Sequence, residues 1–248
     1  MLLNGILFNS EAWHGVDKKD IFLLEKVDEA LIRGILEAHP KIPLEALFLE
    51  TKSIPIRFIV ASRRIMYLHT ILQRDETQKT QPSPGDFIEL VKEDCAAIGL
   101  DMSDKEIAKI QKQRFKSIVK SKVINAAFIY LQKLQQSHSK MDKLKYSKFE
   151  HSPYLSSPLF NNESRSLLLA LRTRTVRGIR TDFGGIYPDK MCPLGCGDLD
   201  TLQNILTCKV LQQSYTSSDT TNSDIMYEDI FSNDVGKQKQ VTELYRRL

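Results

Sequence analysis

Apolar residues recur at every third or fourth position along most of this chain, the period of a helix with one buried face. No segment alternates strictly enough to read as a strand, and there is no internal repeat. Between Lys18 and His39 the stripe is Ile21, Leu24, Val27, Leu31 and Ile35, and Pro40 and Pro43 end it. A short helical piece, LEALFLET, follows. Ser53 and Pro55 then start IPIRFIVASRRIMYLHTILQR, in which Ile56, Ile59, Met66 and Leu72 form the inner side and Arg57, Arg63, Arg64 and Arg74 face solvent. The polar stretch DETQKTQPSPGD, 75 to 86, reads as a loop and subdomain boundary. A helix opens at Asp86 and closes at Gly99, and Ser103 with Glu106 makes a capping box for a helical run to about Ser137, with room for one break.

Beyond that run, the proline-bearing connection EHSPYLSSPLFNNES leads to a helix capped by Asn161 or Asn162 and ended by Gly178. A cysteine-rich stretch comes next. Its DTLQNILTC is a short helix with Asp200 as cap and Leu202, Ile205 and Leu206 as apolar face. QQSYTSSDTTNSD is too poor in apolar residues to fold alone, and SNDVGKQKQVTELYRRL suggests a terminal amphipathic helix. The predicted fold is mostly α.

At 248 residues and 42% hydrophobic content the chain can bury a real core, which excludes disorder throughout. It has no apolar run of membrane-spanning length and its start carries no basic leader, so a soluble intracellular protein, nuclear or cytoplasmic, is expected. Net charge is only +4, but it is unevenly spread. From Asp104 to Lys148 there are 12 Lys or Arg against three acids, Asp104, Glu106 and Asp142, a local excess of +9 that points to a polyanionic partner.

Two basic surfaces are candidates for that partner. Lys105, Lys109, Lys112, Lys116 and Lys120 follow helical spacing and would line one face, matched to a phosphate backbone or simply to solvent. Arg172, Arg174, Arg177 and Arg180 precede the cysteines; their forks suit phosphates and base stacking, while Leu167, Leu168, Leu171 and Val176 on the same segment equally suit a structural helix. Among four cysteines, Cys95 stands alone in a helix and three crowd together, which favours a metal or reduced thiols over a disulfide framework. Cys192 and Cys196 flank a Pro- and Gly-bearing turn that could place two thiolates on zinc, with Cys208 returning from the next helix. A fourth ligand is not specified, so a weakened zinc site and a metal-free turn both remain open. Catalytic signatures are missing: there is no Asp-Asp pair, no Gly-rich phosphate loop and no GxSxG elbow, and the five histidines are scattered as surface or capping residues.

In this order, LLNGILFNSEAWHGV, LEKVDEALIRGILEAHPKIPLEALFLETKSIPIRFIVASRRIMYLHTIL, PSPGDFIELVKEDCAAIGL and CPLGC with DTLQNILTC resemble the region downstream of the catalytic palm in non-LTR (LINE-like) retrotransposon reverse transcriptases. The resemblance covers about residues 2 to 211. It implies a thumb-like helical bundle over 1–75, a helical connection with a long basic helix over 76–150, an Arg-rich helix and degenerate zinc knuckle over 151–211, and a polar linker with a C-terminal helix over 212–248. It implies zinc on Cys192, Cys196 and Cys208, with Asn204 where the family has histidine, so reduced zinc affinity is expected. RNA or an RNA/DNA hybrid is the implied ligand and a separately encoded polymerase palm an implied partner, with no membrane. The polymerase aspartates have no counterpart, so the expectation is a non-catalytic nucleic-acid-binding piece of the element protein, the alternative being a helical remnant or protein-interaction module.

Overall fold

In the computed structural model the chain is mostly helical. The structure describes residues 7–8, 10, 18–73, 85–138, 141–176, 190–210 and 227–246. The helices are α1 (Lys18–Leu36), α2 (Leu44–Thr51), α3 (Ile56–Leu72), α4 (Gly85–Ala97), α5 (Asp104–Lys109), α6 (Lys112–Gln136), α7 (Pro153–Ser156), α8 (Asn162–Arg172), α9 (Leu202–Thr207) and α10 (Val235–Arg246), with a 3-10 turn at Tyr227–Ile230. Among the described residues the sole β element is an antiparallel bridge between Met191 and Leu199. No helix among them is long and apolar enough to cross a membrane.

The chain divides into two compact units, Met1–Leu31 with Ser53–Lys133, and Ile32–Lys52 with Leu134–Leu248. This differs from the four consecutive regions expected, and the 75–86 boundary falls inside the first unit. Packing is the reason: Phe58, Ile65 and Leu68 of α3 share one core with Phe87, Val91 and Ile98 at α4 and with Phe115, Val119, Val123 and Ala127 of α6. Burying that surface outweighs any tendency of the polar stretch to separate the helices.

Within the first unit, the local signals hold at the helix ends. Gly99 has φ 66°, and Leu100 N–H reaches the Cys95 carbonyl at 2.8 Å to close α4. Ser103 and Glu106 form the capping box, with Ser103 N–H donating to Glu106 at 2.8 Å. The expected break in the basic run falls at Ile110, whose backbone is extended (φ −82°, ψ 133°). Here His69, buried rather than at the surface, stacks on Phe115 at 4.6 Å and its Nε2 donates to the Ile110 carbonyl at 2.9 Å. Gln73 donates to the same oxygen at 3.2 Å. The carbonyl released by the break is thus satisfied from α3, a long-range arrangement with no local sequence mark.

Two expected faces are corrected. On α1, Val27 and Ile35 are 43% and 73% exposed, while Asp28 and Ile32 are buried. The inner row follows Ile21, Leu24, Asp28 and Ile32, and the first two pack against Leu7, Ile56 and Val60. On α3, Arg64 is buried and pairs with Asp94 at 3.5 Å, so it does not face solvent. Exposed Arg57 clamps Glu25 through two hydrogen bonds of 2.6 Å and lies 4.8 Å over the Tyr130 ring. Arg74 lies outside the described residues.

The second unit is organised by a buried charge pair. Arg172 Nε donates to Glu50 Oε1 at 2.8 Å, with Glu50 fully buried and Arg172 only 4% exposed. The Tyr146 hydroxyl donates to the same oxygen at 2.6 Å, and Arg172 also donates to the Ile230 carbonyl at 2.8 Å. Around these groups Tyr154, Phe160, Leu168, Leu171, Ile230 and Val241 form the apolar core. Helix α8 starts as expected, with Asn161 accepting from Ser164 N–H at 2.9 Å. It ends at Arg172, six residues before Gly178, because the Thr173 hydroxyl donates to the Leu169 carbonyl and Arg174 turns to φ 50°. The 214–224 segment lies outside the described residues, and the terminal helix is α10.

Removing one partner of a buried pair strands the other charge. Arg172→Met is expected to lower unfolding stability by about 3–5 kcal/mol in urea titration, and Glu50→Leu with Arg172→Met to lose less than the sum of the single changes. A second expectation concerns Asp28, whose carboxyl is pushed up to about 6 from 3.8 by burial and then by the Glu25 charge. Its folded value exceeds its unfolded one, so its protonated form favours folding at low pH and that advantage disappears as pH rises through about 6. Asp28→Asn should therefore raise the melting temperature at pH 7.5 and leave it nearly unchanged at pH 3.5.

Candidate functional site

Helices α3 and α6 of the first unit are pinned to each other at two levels. Phe58 meets Tyr130 edge-on at 5.7 Å, and His69 stacks on Phe115 at 4.6 Å. Since 58 pairs with 130 and 69 with 115, the helices run antiparallel. Between the pins lies a groove of about 650 Å³. One wall is a single face of α3, with Ile59, Ser62, Arg63, Met66, Tyr67 and Thr70 at helical spacing. The other wall is a single face of α6, with Lys112, Lys116, Lys120 and Val123.

Three of the five lysines expected on one rail therefore share this groove. Lys105 and Lys109 belong to α5, before the break at Ile110, and do not line it. The three groove lysines are exposed and have no acidic partner among the described residues. Among the described residues, no acidic side chain lines the groove. Arg63 is already engaged, donating to the Leu7 carbonyl and to the Ser10 hydroxyl. Ile59 and Met66, expected on the inner side of α3, are half-buried and contribute the apolar floor with Val123. Sequence periodicity gives the lysine spacing and places Ile59 and Met66 on the inner side of α3, but it does not single out Tyr67 and carries no sign that the two helices would meet.

The arginine arm is different from expectation. Arg172 is withdrawn into the core of the second unit by Glu50 and the Ile230 carbonyl, so it cannot contact a nucleic acid. Burial acts to lower its pKa, but Glu50, Tyr146 and Tyr154 outweigh this and hold it above the usual arginine range. Tyr146 and Tyr154 are in turn raised well above the tyrosine range by burial and by Glu50, so both stay neutral. Arg174 is half-buried and pairs with Asp142 at 3.3 Å. Arg177 and Arg180 lie outside the described residues.

In the second unit the cysteine stretch forms a compact hairpin and helix. Asp200 N–H donates to Lys190 O and Cys192 N–H to Asp198 O, both at 2.8 Å, across the Met191–Leu199 bridge. Gly195 and Gly197, at φ 74° and 90°, flank Cys196 and curl the chain back. Thr201, rather than the buried Asp200, caps α9 by accepting from Asn204 N–H at 3.0 Å. The side chains of Leu202, Ile205 and Leu206 lie outside the described ones. Helix α9 brings Asn204 and Cys208 onto the hairpin.

The sulfurs of Cys192, Cys196 and Cys208 lie within 4.8 Å of one another, and none of the three is in a disulfide. Three such groups can bind a metal. Tetrahedral zinc at about 2.3 Å from each sulfur needs sulfur separations of about 3.8 Å, so a modest contraction would close the set. Asn204 Oδ1 sits 3.5 Å from Cys196 Sγ, near the ligand edge of about 3.6 Å between oxygen and sulfur on such an ion. Burial acts to raise the Cys192 thiol, yet hydrogen bonds to it from the Leu194 and Cys196 backbone, the Cys196 thiol and Asn204 hold it below the usual thiol range. Cys95 in the first unit is the opposite case, pushed up to about 11 by burial and by Asp94 and Asp104. Compared with protein-family models, curated proteins and solved structures, the chain finds no match in any of the three.

Proposed function

We propose that the chain is a non-catalytic nucleic-acid-binding protein related by descent to the thumb and knuckle region of non-LTR retrotransposon reverse transcriptases. The observation that carries the binding reading is the row of Lys112, Lys116 and Lys120 along a groove with no acidic side chain among its described lining residues. Uncompensated ammonium groups in a concave surface raise the local concentration of a polyanion and release its counterions on contact. RNA or an RNA/DNA hybrid is the ligand that the sequence resemblance suggests. A separately encoded polymerase would act beside it.

The cysteine cluster completes this reading as a zinc knuckle with a substituted ligand. Cys192, Cys196 and Cys208 hold the ion, and Asn204 offers a neutral amide oxygen where imidazole would bind a borderline-soft ion better. Bound zinc would supply folding free energy to the hairpin and helix, not chemistry. A second reading, a protein-contact module, is favoured by Phe22, Leu23 and Val27, which are 55%, 61% and 43% exposed on α1.

The purified chain should bind a labelled RNA/DNA primer-template with an overhang, and affinity should fall steeply between about 50 and 200 mM salt. Lys112→Ala, Lys116→Ala and Lys120→Ala together should weaken binding at least about tenfold and flatten the salt slope by about three. Lys105→Ala with Lys109→Ala should do much less. Absence of binding at both salt concentrations would leave the protein-contact reading. For the cluster, Asn204→His should increase zinc affinity in competition with a chromophoric chelator, and equal affinity of the two proteins would exclude Asn204 from the ligand set.

A further inference from the structure

We propose that the groove between α3 and α6 takes single-stranded nucleic acid, with phosphates on the lysine row and unstacked bases on the apolar floor. This deepens the nucleic-acid reading and rests on it. Lys112, Lys116 and Lys120 stand four residues apart, so their roots repeat at about 6 Å along the helix. That repeat is close to the separation of successive phosphates on an extended strand, so each phosphate can meet its own ammonium group.

The opposite wall is what separates a strand from a duplex. Met66 and Tyr67 present apolar and aromatic surface across from the lysines, with Ile59 toward the Phe58–Tyr130 end. Tyr67 is itself braced edge-on against Phe87 at 5.8 Å, which fixes the direction of its ring. A duplex keeps its bases in the stack and can offer the groove only phosphates, leaving the floor covered by nothing. A single strand offers both charge and flat π-faces, and stacking on an aromatic platform is worth about 1–3 kcal/mol per base irrespective of sequence.

The test compares four probes carrying the same total charge on the full chain at one salt concentration: a single-stranded oligonucleotide, the same strand built of abasic sugar-phosphate units, a blunt duplex of half that length, and polyglutamate. The single strand should bind at least about tenfold more tightly than the abasic strand and the duplex, and polyglutamate should not displace it at matched charge. Tyr67→Leu, checked for folding by circular dichroism, should weaken the single strand about fivefold or more while leaving the abasic strand unchanged. Equal binding of all nucleic-acid probes would overturn the base-contact inference and leave the phosphate reading standing. Equal competition by polyglutamate would reduce the groove to a nonspecific anion surface, and binding of none of them would remove the underlying reading as well. Because the abasic comparison uses the unaltered protein, it decides the matter even where Tyr67→Leu fails to fold.

Discussion

Glu50 is fully buried, and the second unit is arranged so that its charge is answered. The guanidinium of Arg172 and the hydroxyl of Tyr146 converge on one carboxylate oxygen, at 2.8 and 2.6 Å. Through Arg172 Nη1 the Ile230 carbonyl joins the same network, at 2.8 Å. Helix α2, the segment after α6, helix α8 and the 3-10 turn are therefore held by one charged centre, although they are far apart in sequence. Such a pair adds little stability over an apolar core of the same volume. What it does is penalise every arrangement in which one of these elements is misplaced, since a charge would then be buried without a partner. The other Glu50 oxygen and the Tyr154 hydroxyl lack a partner of hydrogen-bond geometry, although Glu50 is close enough to raise Tyr154.

Local signals were reliable where a helix terminus is decided within a few residues and failed where a residue distant in sequence decides it. The Ser103 capping box, the Asn161 cap and the left-handed Gly99 are each decided within a few residues, and each is legible in the sequence. The end of α8 is not, because Thr173 and Arg174 turn the chain there while Arg172 is held by Glu50 from 122 residues away. The break at Ile110 is likewise set from α3, by His69 and Gln73. On α1 the apolar stripe was read one position off, since the buried row includes Asp28, a carboxyl that no hydrophobic pattern would place inside.

For the candidate site, legibility depended on whether the relevant residues lie near one another in sequence. Cys192, Cys196 and Cys208 fall within a short stretch, and their convergence to within 4.8 Å follows from the turn glycines and a single capped helix. The groove instead needs α3 and α6, separated by α4 and α5, to be pinned at Phe58–Tyr130 and His69–Phe115. Periodicity supplied a basic face and an apolar face, but not their juxtaposition.

The two kinds of cation in this protein have been put to different uses. Arg57, Arg63 and Arg172 each donate to a carboxylate or a backbone oxygen of their own unit, and Arg64 forms an ion pair with Asp94. A planar fork with several fixed donors is suited to that work, and a weakly hydrated guanidinium loses less than an ammonium on burial. Lysine is the reverse, a compact and strongly hydrated charge that stays at the surface. With these arginines engaged internally, the groove's free charge is carried by Lys112, Lys116 and Lys120. Point charges of this kind attract phosphate without fixing its orientation. Any discrimination among ligands in the groove must then come from its other wall, where Tyr67, Met66 and Ile59 distinguish a chain that can present bases from one that presents charge alone.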